Sequence, residues 1–230
     1  MNKRLQRLGL GLVLMGLVFF AAGGYTLYKT QQGASALQAF SAAQNVKLSY
    51  NDQGQLVDRG ETAGAAAIMS LLVNDWGYTV DQGELNPNDP LVNTASEYMY
   101  QMATISYHTL HATTTVTIPE DVVVDGQVVT KAGTYDFQNT GKYWTGFDRT
   151  DPIQAAARDK IWTGTAHALI AELGVGSVTA SALTMGLGIA GLFALIGLTV
   201  VLTGLGLVWA TRAATEKVKV PAFKQVANPA

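Results

Sequence analysis

The sequence predicts an α+β protein in which two antiparallel transmembrane helices bracket one extracytoplasmic domain of helices and a small, mostly antiparallel sheet. Three observations carry this. Two long apolar runs without charge lie near the two ends, the stretch between them mixes helical with alternating periodicity, and basic residues flank the runs while acidic residues crowd between them. Hydrophobic residues make up 48% of the 230 and charged residues only 14%, a ratio that leans toward a membrane protein.

The first run, Leu8–Tyr28, is LGLGLVLMGLVFFAAGGYTLY, and the second has no charge between Glu172 and Arg212. A bilayer core needs roughly 20 apolar residues, and both runs qualify. Lys3, Arg4 and Arg7 with FFAAGG also fit a cleaved signal peptide. An uncleaved anchor is favoured because Tyr25, Tyr28 and Lys29 would form an interfacial belt at its far end. Basic flanks stay in the cytoplasm: Lys3, Arg4 and Arg7 precede the first run, and Arg212, Lys217, Lys219 and Lys224 follow the second against Glu216 alone. Thr30–Ser177 holds 16 acidic and 7 basic residues. The predicted organisation is a cytoplasmic N-terminus (1–7), a first span (8–28), an extracytoplasmic domain (29–176), a long helix containing the second span (177–210) and a basic cytoplasmic tail (211–230). The localisation expected is the cell membrane, with both termini inside and the main domain outside.

Gly9, Gly16 and Gly23 recur every seven residues on the first span. Ala182, Gly186, Ala190 and Ala194 recur every four on the second, followed by Gly197 and Gly204. Small residues on one face let helices approach closely where the hydrophobic effect gives no drive, so these stripes predict helix packing, against each other or against a partner. Gly174 and Gly176 predict a break, with Ser177 as N-cap of a new helix. Running on to Ala210, that helix would be about 50 Å long, more than the ~30 Å hydrocarbon core.

Within the domain, Ala34–Gln44 reads as helix, extending the first span. VKLSYNDQGQLVDRG reads as a hairpin turning at Asn51–Gly54, Glu61–Trp76 as an alanine- and leucine-rich helix, and Gly77–Asn88 as an acidic loop. Asp89–Pro90 and Asp151–Pro152 each set Asp as N-cap before Pro at the first helical position, predicting helix starts. Between those helices a Val- and Thr-rich segment turns at Asp125–Gly126, and Gly141–Phe147 predicts a further short strand.

The chemistry is sparse. On a helix from Pro90 to Ala112, the residues Glu97, Gln101, Thr104, His108 and His111 form a polar stripe, with Tyr98, Met102 and Ile105 on a core-facing neighbour. His108 and His111 rise about 4.5 Å apart along a helix, close enough to share one ion, with His167 the candidate third ligand for copper or zinc. A lone His-x-x-His more often trims a polar face, so no metal or other cofactor is expected. The chain has no cysteine, hence neither disulfides nor thiolate ligands. Ser106 near His108 lacks the framed turn and oxyanion hole a nucleophile needs, and Gly186–Gly191 (GLGIAG) lies inside a span, where it is packing rather than a phosphate loop. Neither span holds an ionisable residue, which argues against an ion path. The acidic domain argues against nucleic acid.

The segments AFSAAQNVKLSYNDQGQLVDRG, NDPLVNTASEYMYQMATISYHTLH, KYWTGFDR and ELGVGSVTASALTMGLGIAG resemble a family of actinobacterial membrane proteins with two terminal spans around one exported domain. The resemblance implies topology and origin, not chemistry. Some members carry a ring-opening dioxygenase label, a chemistry that uses two histidines and a carboxylate on iron; this chain shows no such set in a convincing context. The expectation is a non-catalytic accessory or scaffolding subunit whose partners are other integral membrane subunits and the lipid bilayer. The alternatives are a copper- or zinc-binding exported protein and a homo-oligomeric envelope protein.

Overall fold

No proline occurs before Pro87 or between Pro152 and Pro221, so nothing in the two apolar runs interrupts a helical ladder. The computed structural model describes residues 2–216, with side chains from Lys3 to Arg212. The predicted basic tail residues Lys217, Lys219 and Lys224 lie outside the described residues. Helix α1 runs Asn2–Gln44 and the last helix, α5, runs Gly164–Glu216. Both are long and apolar enough to cross a membrane, and only 17% and 11% of their most apolar stretches are buried, unlike the core helix of a soluble protein. Ala34–Gln44 is an extension of the first helix, which Asn45 ends in the left-handed conformation at φ 51°.

The break expected at Gly174 and Gly176 does not occur. Ser177 caps nothing; its hydroxyl donates to the Ala95 carbonyl (3.2 Å), 82 residues away. Gly176 is glycine for another reason: a Cβ there would sit 2.6 Å from the Tyr98 ring.

The described chain forms two compact units, one from the N-terminal segment to Ala34 together with the segment from Leu183, the other Ser35–Ala182. In the second, α2 (Thr62–Ser70) buries Ala65 and Ile68 and widens into a π-helical turn, Leu71–Asp75, that buries Leu71 and Leu72. Helix α3 is Ala95–Leu110, not Pro90–Ala112. Its N-cap is Thr94 in a capping box with Glu97, while Asp89–Pro90 starts no helix. The cause is tertiary: the Pro90 carbonyl accepts from Leu48 N (2.8 Å) and Val92 N donates to Val46 (2.9 Å), which holds this segment extended. Asp151 does cap α4 (Pro152–Ile161), accepting from Ile153 N at 2.9 Å.

The strands make two separate two-stranded antiparallel sheets. One pairs β1 (Thr113–Ile118) with β4 (Gly133–Gln138); the other pairs β2 (Val122–Val124) with β3 (Gln127–Thr130). Asp125 (φ 52°) and Gly126 (φ 79°) make the predicted turn, with both residues at positive φ. The hairpin expected at Val46–Gly60 is present in short form: Tyr50 bridges Leu56 across the Asn51–Gly54 turn, with Val57 N donating to Ser49 and Asn51 N to Gln55 (both 2.9 Å), while Lys47 bridges Leu91 in the segment before α3. Gly141–Phe147 is likewise no strand: Trp144–Gly146 is a 3₁₀ turn.

Two apolar clusters result. Leu48, Ile68, Leu72, Val92, Tyr98, Ala103 and Leu173 form one, and Leu110, Val116, Ile118, Phe147, Ala157, Ile161 and Trp162 the other. Asn139, 1% exposed, belongs to the frame: its side chain donates to the Thr109 and Lys142 carbonyls and accepts from Lys142 N. No local pattern in the sequence singles it out.

Candidate functional site

Asp58 sits on a tight turn through Arg59 (φ 51°) and Gly60 (φ 88°), with Asp58 and Glu61 exchanging two backbone hydrogen bonds. That turn presents the Asp58 carboxylate to His108 on α3, Oδ1 to Nε2 at 2.9 Å. A carboxylate accepts, so Nε2 carries the proton and is committed to Asp58. His111 is the C-cap residue of α3; its Nδ1 lies 2.8 Å from the Tyr107 carbonyl, and its ring packs against the Tyr107 ring, tilted by 37° with centroids 4.3 Å apart. Both histidines line an open cleft of about 550 Å³ together with Asp58, Arg59, Glu61 and Thr113.

His167 lies elsewhere in this unit. Its Nδ1 faces the Thr163 carbonyl at 3.1 Å, and its ring packs against Trp144 (5.2 Å) and Trp162 (5.5 Å), with Arg158 over Trp144 at 4.1 Å. Among the described residues, no three His, Cys, Asp or Glu side chains gather into a metal-sized group. A metal at His108 would have to use Nδ1 or displace Asp58. Ser106 is buried and is not part of the cleft lining, so it makes no triad with the Asp58–His108 pair.

The predicted polar stripe is not one face of solvated side chains. Glu97 is 2% exposed, and its Oε2 accepts from Asn93 N, Thr94 N and the Thr94 hydroxyl at 2.9–3.0 Å. Burial raises its pKa despite these donors. Nearby, the buried hydroxyls of Tyr50 and Tyr100 have no partner among the described residues. Burial raises both phenols, with Glu97 adding to the shift at Tyr50 and Asp58 to that at Tyr100.

The same unit holds a partly open pocket of about 200 Å³, whose apolar lining is Phe40, Val46, Val92, Ile105, Leu169 and Leu173. Of its polar members, the Ser41 and Tyr98 hydroxyls bond each other at 2.7 Å and Gln44 Nε2 donates to Glu172 (3.1 Å), while Gln101 is half-buried beside them. The sequence gives no sign of it, because its walls come from four separate segments.

No family model matches this chain, and no curated protein or solved structure matches it either.

The predicted packing residues fall in the other unit, except Ala182, which is exposed at the end of the Ser35–Ala182 unit. A Cβ on Gly9 would meet the Gly204 carbonyl at 2.7 Å, on Gly16 the Gly197 carbonyl at 2.8 Å, and on Gly23 the Ala190 carbonyl at 3.1 Å and Ala194 N at 3.3 Å. Rising numbers on α1 against falling numbers on α5 make the pair antiparallel. A Cβ on Gly186 would lie 2.5 Å from the Thr30 hydroxyl oxygen. Gly11, Gly24, Gly188, Gly191 and Gly206 have nothing within 4 Å of such a Cβ.

Proposed function

We propose that this chain is a non-catalytic accessory or scaffolding subunit of a larger integral membrane complex, with both termini cytoplasmic and Ser35–Ala182 outside. The observation that carries the reading is the β2–β3 hairpin. Val123, Val124, Val128 and Val129 are each 50–55% exposed on a two-stranded ribbon. Such a ribbon is marginal alone in water, and a cluster of exposed valines is the kind of surface a protein partner covers. The seven-residue glycine stripe is taken up by the chain's own second helix, so lateral partners would meet the opposite, leucine-rich faces, where Leu14, Leu195 and Leu202 are more than half exposed. The Asp58–His108 pair is a structural hydrogen bond between a turn and a helix in this reading, not a catalytic dyad. The resemblance to the actinobacterial two-span family agrees with the topology and adds no chemistry.

The test is affinity purification from source membranes in mild detergent, comparing the native chain with Val123→Thr/Val128→Thr, and assaying metal in both. Other membrane subunits co-eluting in fixed ratio, and lost from the variant, support the reading. A single-component band of high mass favours the homo-oligomer. One equivalent of copper or zinc, lost on His108→Ala/His111→Ala, makes the chain a metal-binding protein instead.

A further inference from the structure

We propose that the cavity between Phe40 and Leu173 binds a hydrocarbon chain, its polar head left at the rim by Gln44, Gln101 and Glu172. Size permits it. An engineered apolar cavity of about 150 Å³ in another protein stays dry and takes up benzene, and this one is about 200 Å³. The chemistry of the wall is one-sided. Six aliphatic or aromatic side chains form it, and the two hydroxyls that reach it, Ser41 and Tyr98, satisfy each other at 2.7 Å. No free donor or acceptor asks for a polar group inside, so water gains little there and an alkyl segment displaces it at no hydrogen-bonding cost.

The mouth is marked by what is left uncovered. Phe40 (46%) and Leu169 (41%) are large apolar residues in the lining that remain open to solvent, where a chain entering the cavity would cover them. Gln44 and Glu172, bonded at an exposed position, supply hydrogen-bonding groups to a head there and disfavour an anionic one. Phe40 lies on α1 and Leu169 and Leu173 on α5, the two helices that also carry the membrane-length apolar runs. The hydrocarbon could therefore belong to a bilayer lipid or to a small apolar solute, and the two are separable.

Full-length protein, stripped of lipid in detergent, is titrated with monoolein and separately with benzene, with stoichiometry read by native mass spectrometry and protection by thermal unfolding. Leu169→Trp plugs the mouth at a half-open position; Ile105→Phe fills the interior; Val128→Thr, on the distant hairpin, is the control. The expected result is one equivalent of monoolein, weakened at least about tenfold by either filling variant, the loss of roughly two buried methylenes, and unchanged in the control. Monoolein binding more strongly than benzene assigns a lipid; benzene alone assigns a small apolar solute to the same hydrocarbon site. Binding of neither, or binding that both filling variants leave intact while still folded, overturns the proposal.

Discussion

Glu97 ties the stability of the fold to pH. The raised pKa means that Glu97 stabilises the fold most below its ordinary value of 4.5, and that this contribution is lost as pH climbs through the folded value. Unfolding of the wild type and Glu97→Gln between pH 7.5 and 4.5 should show the wild type gaining on the variant as pH falls; a constant gap would refute a buried, raised carboxyl. Glu97→Ala, which strips the acceptor from two backbone amides and the Thr94 hydroxyl, should cost about 1–2 kcal/mol near neutral pH and more as pH falls, with the same sign as for Glu97→Gln. Asp148 behaves oppositely, since the Thr150 hydroxyl and amide lower its pKa at an exposed site. Gly176 and Gly174 make a second pair to compare. Gly176→Ala pushes a methyl into the Tyr98 ring and should destabilise by about 1–3 kcal/mol. Gly174→Ala meets only Met102 Sδ at 3.7 Å and should be neutral or gain up to about 1 kcal/mol from helix propensity.

Between elements, the α1–α5 pair is decided by which glycines face inward. Gly16→Ala drives a methyl to 2.8 Å from a backbone carbonyl and 2.6 Å from Val201 Cγ2. The backbones must then separate, which should cost about 1–3 kcal/mol in detergent unfolding. Gly11→Ala and Gly24→Ala, with open space around them, should leave the midpoint unchanged; equal losses at all three would mean that the glycines matter for something other than this contact. The heptad of glycines on α1 was legible in the sequence because helical periodicity is local. Which partner it met was not, and neither was the start of α3. Asp-Pro was a sound local signal at both places, yet at Asp89–Pro90 the pairing of Val46 and Leu48 with the backbone of Pro90 and Val92 prevailed. Thr94-x-x-Glu97, an equally local signal, marked the true start five residues on.

For the whole molecule, the proposed topology is open to direct test because the chain has no cysteine of its own. Gln53→Cys, on an exposed turn, should react with a membrane-impermeant maleimide on intact cells if Ser35–Ala182 is outside; labelling only after lysis would reverse the orientation. The sequence alone determined the two apolar helices, the Asp151 cap and the Asp125–Gly126 turn, since each depends on residues close together in the chain. Tertiary structure alone decided that His108 answers to Asp58, that Glu97 is buried rather than solvated, that Asn139 ties the end of α3 to the loop at Lys142, that Gly176 makes room for Tyr98, and that a hydrocarbon-lined cavity opens between α1, α3 and α5. Those outcomes depend on burial, and burial is set by segments 50 to 130 residues apart in the chain, as the Asp58–His108 and Gln44–Glu172 contacts show.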